Sequence, residues 1–291
     1  MTLQTSVAAA EPYIPRRARS DVARKVVVYT LLVFVSAIFF VPFIWTLLTS
    51  FKTIPDSVNF SVIPHPWTTS AWADVWHRYD FATYIKNSAF LAVTITGANV
   101  VLAGLGGYAF ARLRFPLREP LFLLVLATLM IPDQLRFIPV FVMLTNWHLI
   151  GNFTGYILIN LVTATNLFLM RQYFLTIPKD FEEAAKLDGA GYFKTFWRIM
   201  LPLALPAISA LVILQFQGTW NDFVWPLILF GQGNTAHYTV QLGLASLHFQ
   251  YSSLWPQICA GSLLAILPIV IIFLAFQRYF VSGVVSAGVK G

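Results

Sequence analysis

The chain has 291 residues, 58% of them hydrophobic, 16% aromatic and only 11% charged, with a mean hydropathy of +0.71. A globular domain carries about 25% charged residues, so this composition excludes a soluble enzyme, a disordered chain and a secreted disulfide scaffold, and marks an integral membrane protein. The formal charge of +7 comes from 19 Lys and Arg against 12 Asp and Glu; because the cations cluster beside apolar runs, they speak for a membrane and against nucleic acid as partner.

A membrane helix needs about 20 largely apolar residues. Residues 1–25 are polar, bear Ala and Arg, and read as a poorly ordered cytoplasmic segment. The run 26–51 contains no charged side chain and is the first expected span. It exceeds the roughly 7–15 apolar residues of a signal peptide and no Ala-x-Ala site follows, so it is expected to stay as an anchor. The outer segment 52–86 carries Pro55, Pro64, Pro66, Trp67, Trp72 and Trp76. Such aromatics suit a membrane interface, with ligand contact as the alternative.

The second span is expected over 87–111, where Gly104, Gly106 and Gly107 allow close helix approach. The third covers 120–144 and contains Asp133 and Arg136, spaced to neutralise each other on one helical face; Pro132 and Pro139 disturb the helix there. After the polar break around Asn146–Asn152, the fourth span covers 153–174, with Asn160, Thr163 and Asn166 placed to hydrogen-bond neighbouring helices. The fifth covers 203–230, and the sixth, containing the single cysteine Cys259, covers 257–277. The outer stretch 231–256 is polar but uncharged, with Gln232, Asn234, Gln241 and Gln250. These readings give an all-α polytopic chain with a six-helix transmembrane domain over 26–280 and a cytoplasmic tail over 281–291.

The positive-inside rule orients it. With the N-terminus in the cytoplasm, only Lys52, Arg78 and Lys86 of the 19 cations fall outside, and Arg136 lies in the third span. All five His (His65, His77, His148, His237 and His248) are then external. A lone Cys259 supports neither a disulfide nor a metal site. The chain has no Gly-rich phosphate loop, no His-Glu-x-x-His and no Gly-x-Ser-x-Gly, so no catalytic residue or resident cofactor is expected, and any ATP is hydrolysed by another chain.

The inner loop 178–202 between spans four and five carries the most specific pattern. Asp180 and Glu183 are spaced as a capping box, Glu182 and Glu183 favour a helix N-terminus, and Gly189 suits a left-handed helix end. A second helix is expected over 192–200. A short rigid helix with small Ala side chains suits docking of another protein; Phe181, Phe193, Phe196 and Trp197 equally suit a helix resting on lipid. In the fifth span, Gln215, Gly218 and Asp222 fall on one helical face. Together with Asn221 they are candidates to line a pathway, with Trp220 or Trp225 as stacking surfaces, or else to bond neighbouring helices.

Glu183-Ala184-Ala185, three residues, Gly189, nine residues, Ile199, one residue and Leu201-Pro202 resembles the EAA loop of ABC-importer permeases at every fixed position. The likeness extends to the six spans, to Trp220-Asn221-Asp222 and to the Gly288–Gly291 ending; it is closest in kind to the smaller permease subunit of maltose-type, carbohydrate-uptake importers. The resemblance implies the type I importer permease fold. It also implies a second, different permease subunit, two ATPase subunits that bind ATP and Mg, and an extracytoplasmic solute-binding protein delivering a sugar-like substrate. It implies that Glu183 makes a charge contact with the ATPase, that Ala184, Ala185 and Gly189 pack closely against it, and that Ile199, Leu201 and Pro202 support the loop. The rival expectation is an ion-coupled secondary transporter using Asp133 or Asp222.

Overall fold

The computed structural model describes residues 17–59, 61–231, 234–249 and 254–288. The expectation for residues 1–16, and the placements of Gln232, Gln250 and Lys290, lie outside them. Every regular element among the described residues is helical.

Helix α1 (Arg17–Thr49) begins well before the apolar run and lies against the last helix, α15 (Trp255–Gly288), leaving its other faces exposed. Phe34, Phe39 and Phe40 are each more than 60% exposed along it. Apolar surface on that scale belongs in a bilayer or against another membrane chain. The outer segment folds through two short helices, α2 (Ile54–Val58) and α3 (Ser70–Ala73), and a π-turn over Asp74–Arg78. It is fastened by Asp56, which accepts from the His65 N–H at 3.0 Å and the Ser61 hydroxyl at 2.9 Å; these donors, His65 first, hold its carboxyl below the usual range. Buried Lys52 donates to the Ser61 carbonyl and lies over the Trp45 ring. Trp72 is drawn in against Phe51, while Trp67 and Trp76 stay exposed, as interface aromatics would.

Helix α4 (Phe81–Arg112) is the central span. The expected third span is instead two helices, α5 (Arg118–Leu129) and α6 (Asp133–Asn146), bent by 101°. Pro132 removes a helical N–H and disfavours helical geometry at the residue before it, so the apolar run cannot continue as one rod. The fourth span is α7 (Phe153–Ile159) and α8 (Ala164–Thr176), bent by 43°. Then come α9 (Asp180–Leu187), α10 (Tyr192–Thr195) with a π-turn over Phe196–Met200, and α11 (Leu201–Leu203). A 76° bend separates the stretch Tyr192–Leu203 from α12 (Leu205–Asn221). The expected fifth span also breaks after Asn221, where Asp222 leaves helical geometry with ψ 127° before α13 (Val224–Phe230) starts. Helix α14 (Val240–Phe249) returns toward α15. Among the described residues, three continuous helices are long and apolar enough to cross a membrane, and the three bent pairs bring the total up to six.

The interior is built where α12 packs on α4, α8 and α15 and where α4 packs on α8. One buried cluster joins Tyr108, Met170, Phe174, Phe196 and Met200, so that the loop before α12 shares a core with two spans. The approach of α4 to α8 depends on Gly107: a Cβ there would lie 2.6 Å from the Met170 Cβ and 2.8 Å from the Arg171 backbone nitrogen. Gly107→Ala is therefore expected to cost about 1–3 kcal/mol through overpacking, read as a lower unfolding temperature of the detergent-purified protein. Gly97→Ala, which meets nothing within 4 Å, should leave that temperature unchanged.

Candidate functional site

The site is built on the loop from Lys179 to Ala204. Three carboxylates, Asp180, Glu182 and Glu183, occupy the first turn of α9, where the helix dipole favours negative charge. The expected capping box does not form. Lys179 already has helical geometry, its carbonyl accepts from the Glu182 and Glu183 N–H groups, and no side chain caps the end. Asp180 thus sits inside the helix, one position too late to cap it.

The other end matches its expectation. Gly189 has φ +74°, its N–H donates to the Lys186 carbonyl at 3.0 Å, and the Ala190 N–H donates to the Ala185 carbonyl at 2.9 Å. This pair of bonds is the Schellman arrangement, and it fixes the turn into α10. The second helix over 192–200 is present as α10 and its π-turn.

Exposure divides the motif. Glu183 and Ala184 are exposed, Leu187 is 90% exposed, and Ala185 is buried against the chain's own body. Ile199 and Leu201 are half-buried, Leu201 against the cluster holding Phe196, and Pro202 is exposed in the first turn of α11. Phe193 and Trp197 also face outward. Two attachments hold the loop. Phe196 packs against Tyr108 and Phe174, with ring centroids 5.3 and 6.3 Å away. Arg112, at the end of α4, donates to the carbonyls of Phe174 (2.6 Å) and Ile177 at the end of α8, and lies 3.8 Å from the Glu182 carboxylate. Sequence reasoning counts Arg112 only as an inner-side cation; its place in the last turn of a helix, where cations suit the dipole, is the one signal pointing further.

Within the membrane region, a hydrogen-bonded network centres on fully buried Asn99, which sequence reasoning missed. Its amide nitrogen donates to the Asn160 carbonyl at 2.8 Å, and its oxygen accepts from the Thr163 N–H and the Asn166 amide, both at 3.0 Å. Asn166 also donates to Gln215 at 2.6 Å, and Gln215 donates to Thr219 at 3.1 Å. The expected bonding to a neighbouring helix is thus made by Thr163 and Asn166, whereas the Asn160 side chain donates to the Tyr156 carbonyl of its own helix at 3.0 Å; the bonds from Asn99 satisfy backbone groups released at the α7–α8 break, as hydrocarbon requires.

Gln215 and Asp222 do not share a helical face, because the helix stops at Asn221. Asp222 instead accepts from the Tyr156 hydroxyl at 2.8 Å and lies 3.4 Å from the Trp225 N–H. Asn221 is exposed and accepts from Gln241 of α14 at 3.0 Å. The aromatic stacking surfaces are not available. Trp220 is fully buried with its indole donating to the Ala265 carbonyl at 3.0 Å, and Trp225 is buried edge-on to Phe137. Asp133 and Arg136 pair as expected. Among the described residues, no group of His, Cys, Asp and Glu is placed to hold a metal.

Residues 100–286 match the family described as binding-protein-dependent transport system inner membrane component. The chain belongs to that family. This permease is 38% identical over 209 residues to the arabinooligosaccharides transport system permease protein AraQ of Halalkalibacterium halodurans, covering 72% of this chain and 74% of that one. It is 33% identical over 235 residues to the sn-glycerol-3-phosphate transport system permease protein UgpE of Yersinia pestis, covering 78% and 83%. Its fold matches a chain of a bacterial ABC transporter involved in import of the acidic polysaccharide alginate, with a TM-score of 0.78 at 24% identity over 93% of this chain and all of that one. The protein is therefore a multi-pass membrane permease of the ABC type I importer fold, a transport component and not an enzyme. The ion-coupled alternative finds no support.

Arg112 of this permease is expected to hold the loop to the spans. Arg112→Ala removes charged hydrogen bonds to two carbonyls and leaves Glu182 without its cation, a loss of about 2–4 kcal/mol. The measurement is thermal unfolding of the purified permease, with faster proteolysis of the 178–202 loop as an independent readout.

Proposed function

We propose that this permease forms half of the membrane pore of an importer for a sugar or sugar-like solute. An extracytoplasmic binding protein delivers the solute, a second and different permease subunit completes the pore, and two ATPase subunits bind and hydrolyse ATP with its Mg ion. The substrate class is supported by the arabinooligosaccharide and glycerol-phosphate relatives. Partnership with a binding protein agrees with the family description and with a structural neighbour solved with an alginate-pentasaccharide-bound periplasmic protein. The membrane is a bacterial cell membrane with both termini in the cytoplasm, an orientation that rests on the distribution of Lys and Arg.

The observation that carries the mechanism is a short helix, closed by a Schellman turn, that exposes Glu183, Ala184 and Leu187 and buries Ala185, and is followed by Phe196 and Met200, which share a core with α4, α8 and α12. Residues 178–202 are the coupling loop. Glu183 meets a cation of the ATPase, Ala184 lets the partner approach closely, and Ala185 and Gly189 set the seating and the angle of the helix. Ile199, Leu201 and Pro202 carry the movement into α12. The pathway is lined by Asn221, with its Gln241 partner, and by Asp222; Gln215 supports the path from the network behind it. ATP-driven closure of the ATPases displaces the loop, and the spans tilt between inward-open and outward-open states.

In proteoliposomes holding the complete importer, Glu183→Lys and Gly189→Val are expected to insert and assemble normally. ATP hydrolysis should persist while uptake falls at least tenfold, as loss of a coupling free energy of about 1–3 kcal/mol or more implies. Normal ATP-dependent uptake by both variants would overturn the coupling assignment. For the pathway, Asn221→Ala is expected to raise the half-saturating concentration of the transported solute without changing basal ATP hydrolysis.

A further inference from the structure

The stretch Tyr192–Leu203 meets α12 at 76°. With α12 crossing the bilayer, a segment at that angle runs close to the membrane plane. Its depth follows from what it touches. A Cβ on Gly104 of α4 would lie 3.7 Å from the Phe196 ring and 4.0 Å from Leu201. Gly104 stands eight positions before Arg112, the last residue of α4, which is about 12 Å along the axis at roughly 1.5 Å per residue. The stretch therefore lies against the flank of the spans, inside their ends, and not out beyond them where a soluble chain would reach it.

Its two sides differ. Thr195, Phe196 and Met200 are buried toward the spans. Phe193 is 72% exposed and Trp197 40% exposed, with ring centroids 6.1 Å apart, so they form one outward aromatic edge. Lys194 and Arg198 are exposed one position further round the same turns. Neither is in an ion pair among the described residues, and no carboxylate occurs in the sequence between Asp188 and Asp222. Large rings beside unopposed cations are the surface of an in-plane interfacial helix: the rings sit at the boundary of headgroups and acyl chains while the cations reach the phosphates. Helix α9 has the opposite character, with four carboxylates against one lysine over 180–188, which an anionic surface repels. One loop thus carries an acidic arm suited to a soluble partner and an aromatic, basic arm suited to lipid.

We infer that the stretch Tyr192–Leu203 is a lipid-contact surface, lying in the inner leaflet with Phe193 and Trp197 among the upper acyl chains and Lys194 and Arg198 on anionic headgroups. The inference rests on the proposed orientation of the loop toward the cytoplasm. The bilayer then holds the arm that leads into α12, while α9 remains free to follow the ATPase. Anionic lipid content thereby sets how far the base of α12 moves against the membrane during the cycle.

The test uses the complete importer in proteoliposomes, with a fluorophore at Phe193→Cys in a Cys259→Ser background and partner chains free of cysteine. Quenching by nitroxide-labelled lipid reads contact with the bilayer, and quenching by iodide on both sides reads contact with water. Nitroxide-labelled lipid is expected to quench strongly and iodide weakly. Phosphatidylglycerol should be preferred over phosphatidylcholine by about fivefold or more, the contribution of one cation near the headgroups. Lys194→Gln combined with Arg198→Gln should abolish that preference. A fluorophore at Trp197→Cys repeats the reading in case the first variant distorts the turn. Quenching by iodide alone would place this face in the cytosol, and quenching by neither agent would place it under a partner protein; each overturns the inference. Equal quenching by the two lipids, or a preference that survives the double substitution, overturns the headgroup contact. ATP-driven uptake by the same vesicles separates these failures from failure of the importer reading, since an importer whose loop lies off the bilayer still transports.

Discussion

The bonds made by Arg112 join parts of the chain that are far apart in sequence. One guanidinium at the end of α4 holds the last carbonyls of α8 and stands beside the first turn of α9. Because a buried guanidinium is costly to leave unpaired, the ends of two spans and the loop helix are drawn together. Gly107, one turn before it, removes the Cβ that would hold α4 away from α8. Phe196, Tyr108 and Phe174 then fill the space beneath, so the loop has a core of its own in common with the spans. In the proposed coupling role, a docking helix is mechanically useful only when displacement of its outer face moves the spans instead of bending the loop, and this arrangement is what the proposal relies on for that stiffness.

The membrane region obeys a second constraint, the need to pair every backbone group that meets hydrocarbon. The chain breaks its helices near Pro132, between Asn160 and Thr163, and at Asp222. At the second break, Asn99 pairs the released backbone groups from a neighbouring span. At the third, the Asp222 carboxylate reaches Tyr156 and the start of α13. The polar residues of the spans thus divide into those that hold broken helices together, such as Asn99, Asn166 and Gln215, and those left near an open face, such as Asn221.

Local chemistry was the most legible part of the sequence. Gly189 ends a helix because only a residue without Cβ takes φ +74° at no steric cost, and the same residue type is visible in the bare sequence. The spacing around Glu183 and the apolar runs identify the loop and the spans for similar reasons. The capping box failed because helical geometry starts at Lys179 and leaves Asp180 no capping position to occupy. The continuous fifth span failed because hydropathy measures apolar content and says little about where Asp222 turns the chain; in the third, Pro132 marks the disturbance in the bare sequence but not its angle of 101°. Asn99 and Arg112 act through partners more than 60 residues away, and no pattern within one segment reports such pairs. Trp220 reads equally as a ligand surface or a core residue until Ala265 is found beside it.

The stiffness of the loop against the spans is the claim on which the coupling account stands, and a distance measurement reads it directly. Spin labels at Lys194→Cys on α10 and Leu175→Cys on α8, in a Cys259→Ser background, report the separation of two exposed positions outside the proposed docking face by pulsed electron paramagnetic resonance in the assembled importer. The account predicts one narrow distance distribution that is the same in nucleotide-free and ATP-bound complexes, while the complex as a whole changes state. A distribution that broadens or shifts between the two would show the loop flexing on its own, and would contradict it.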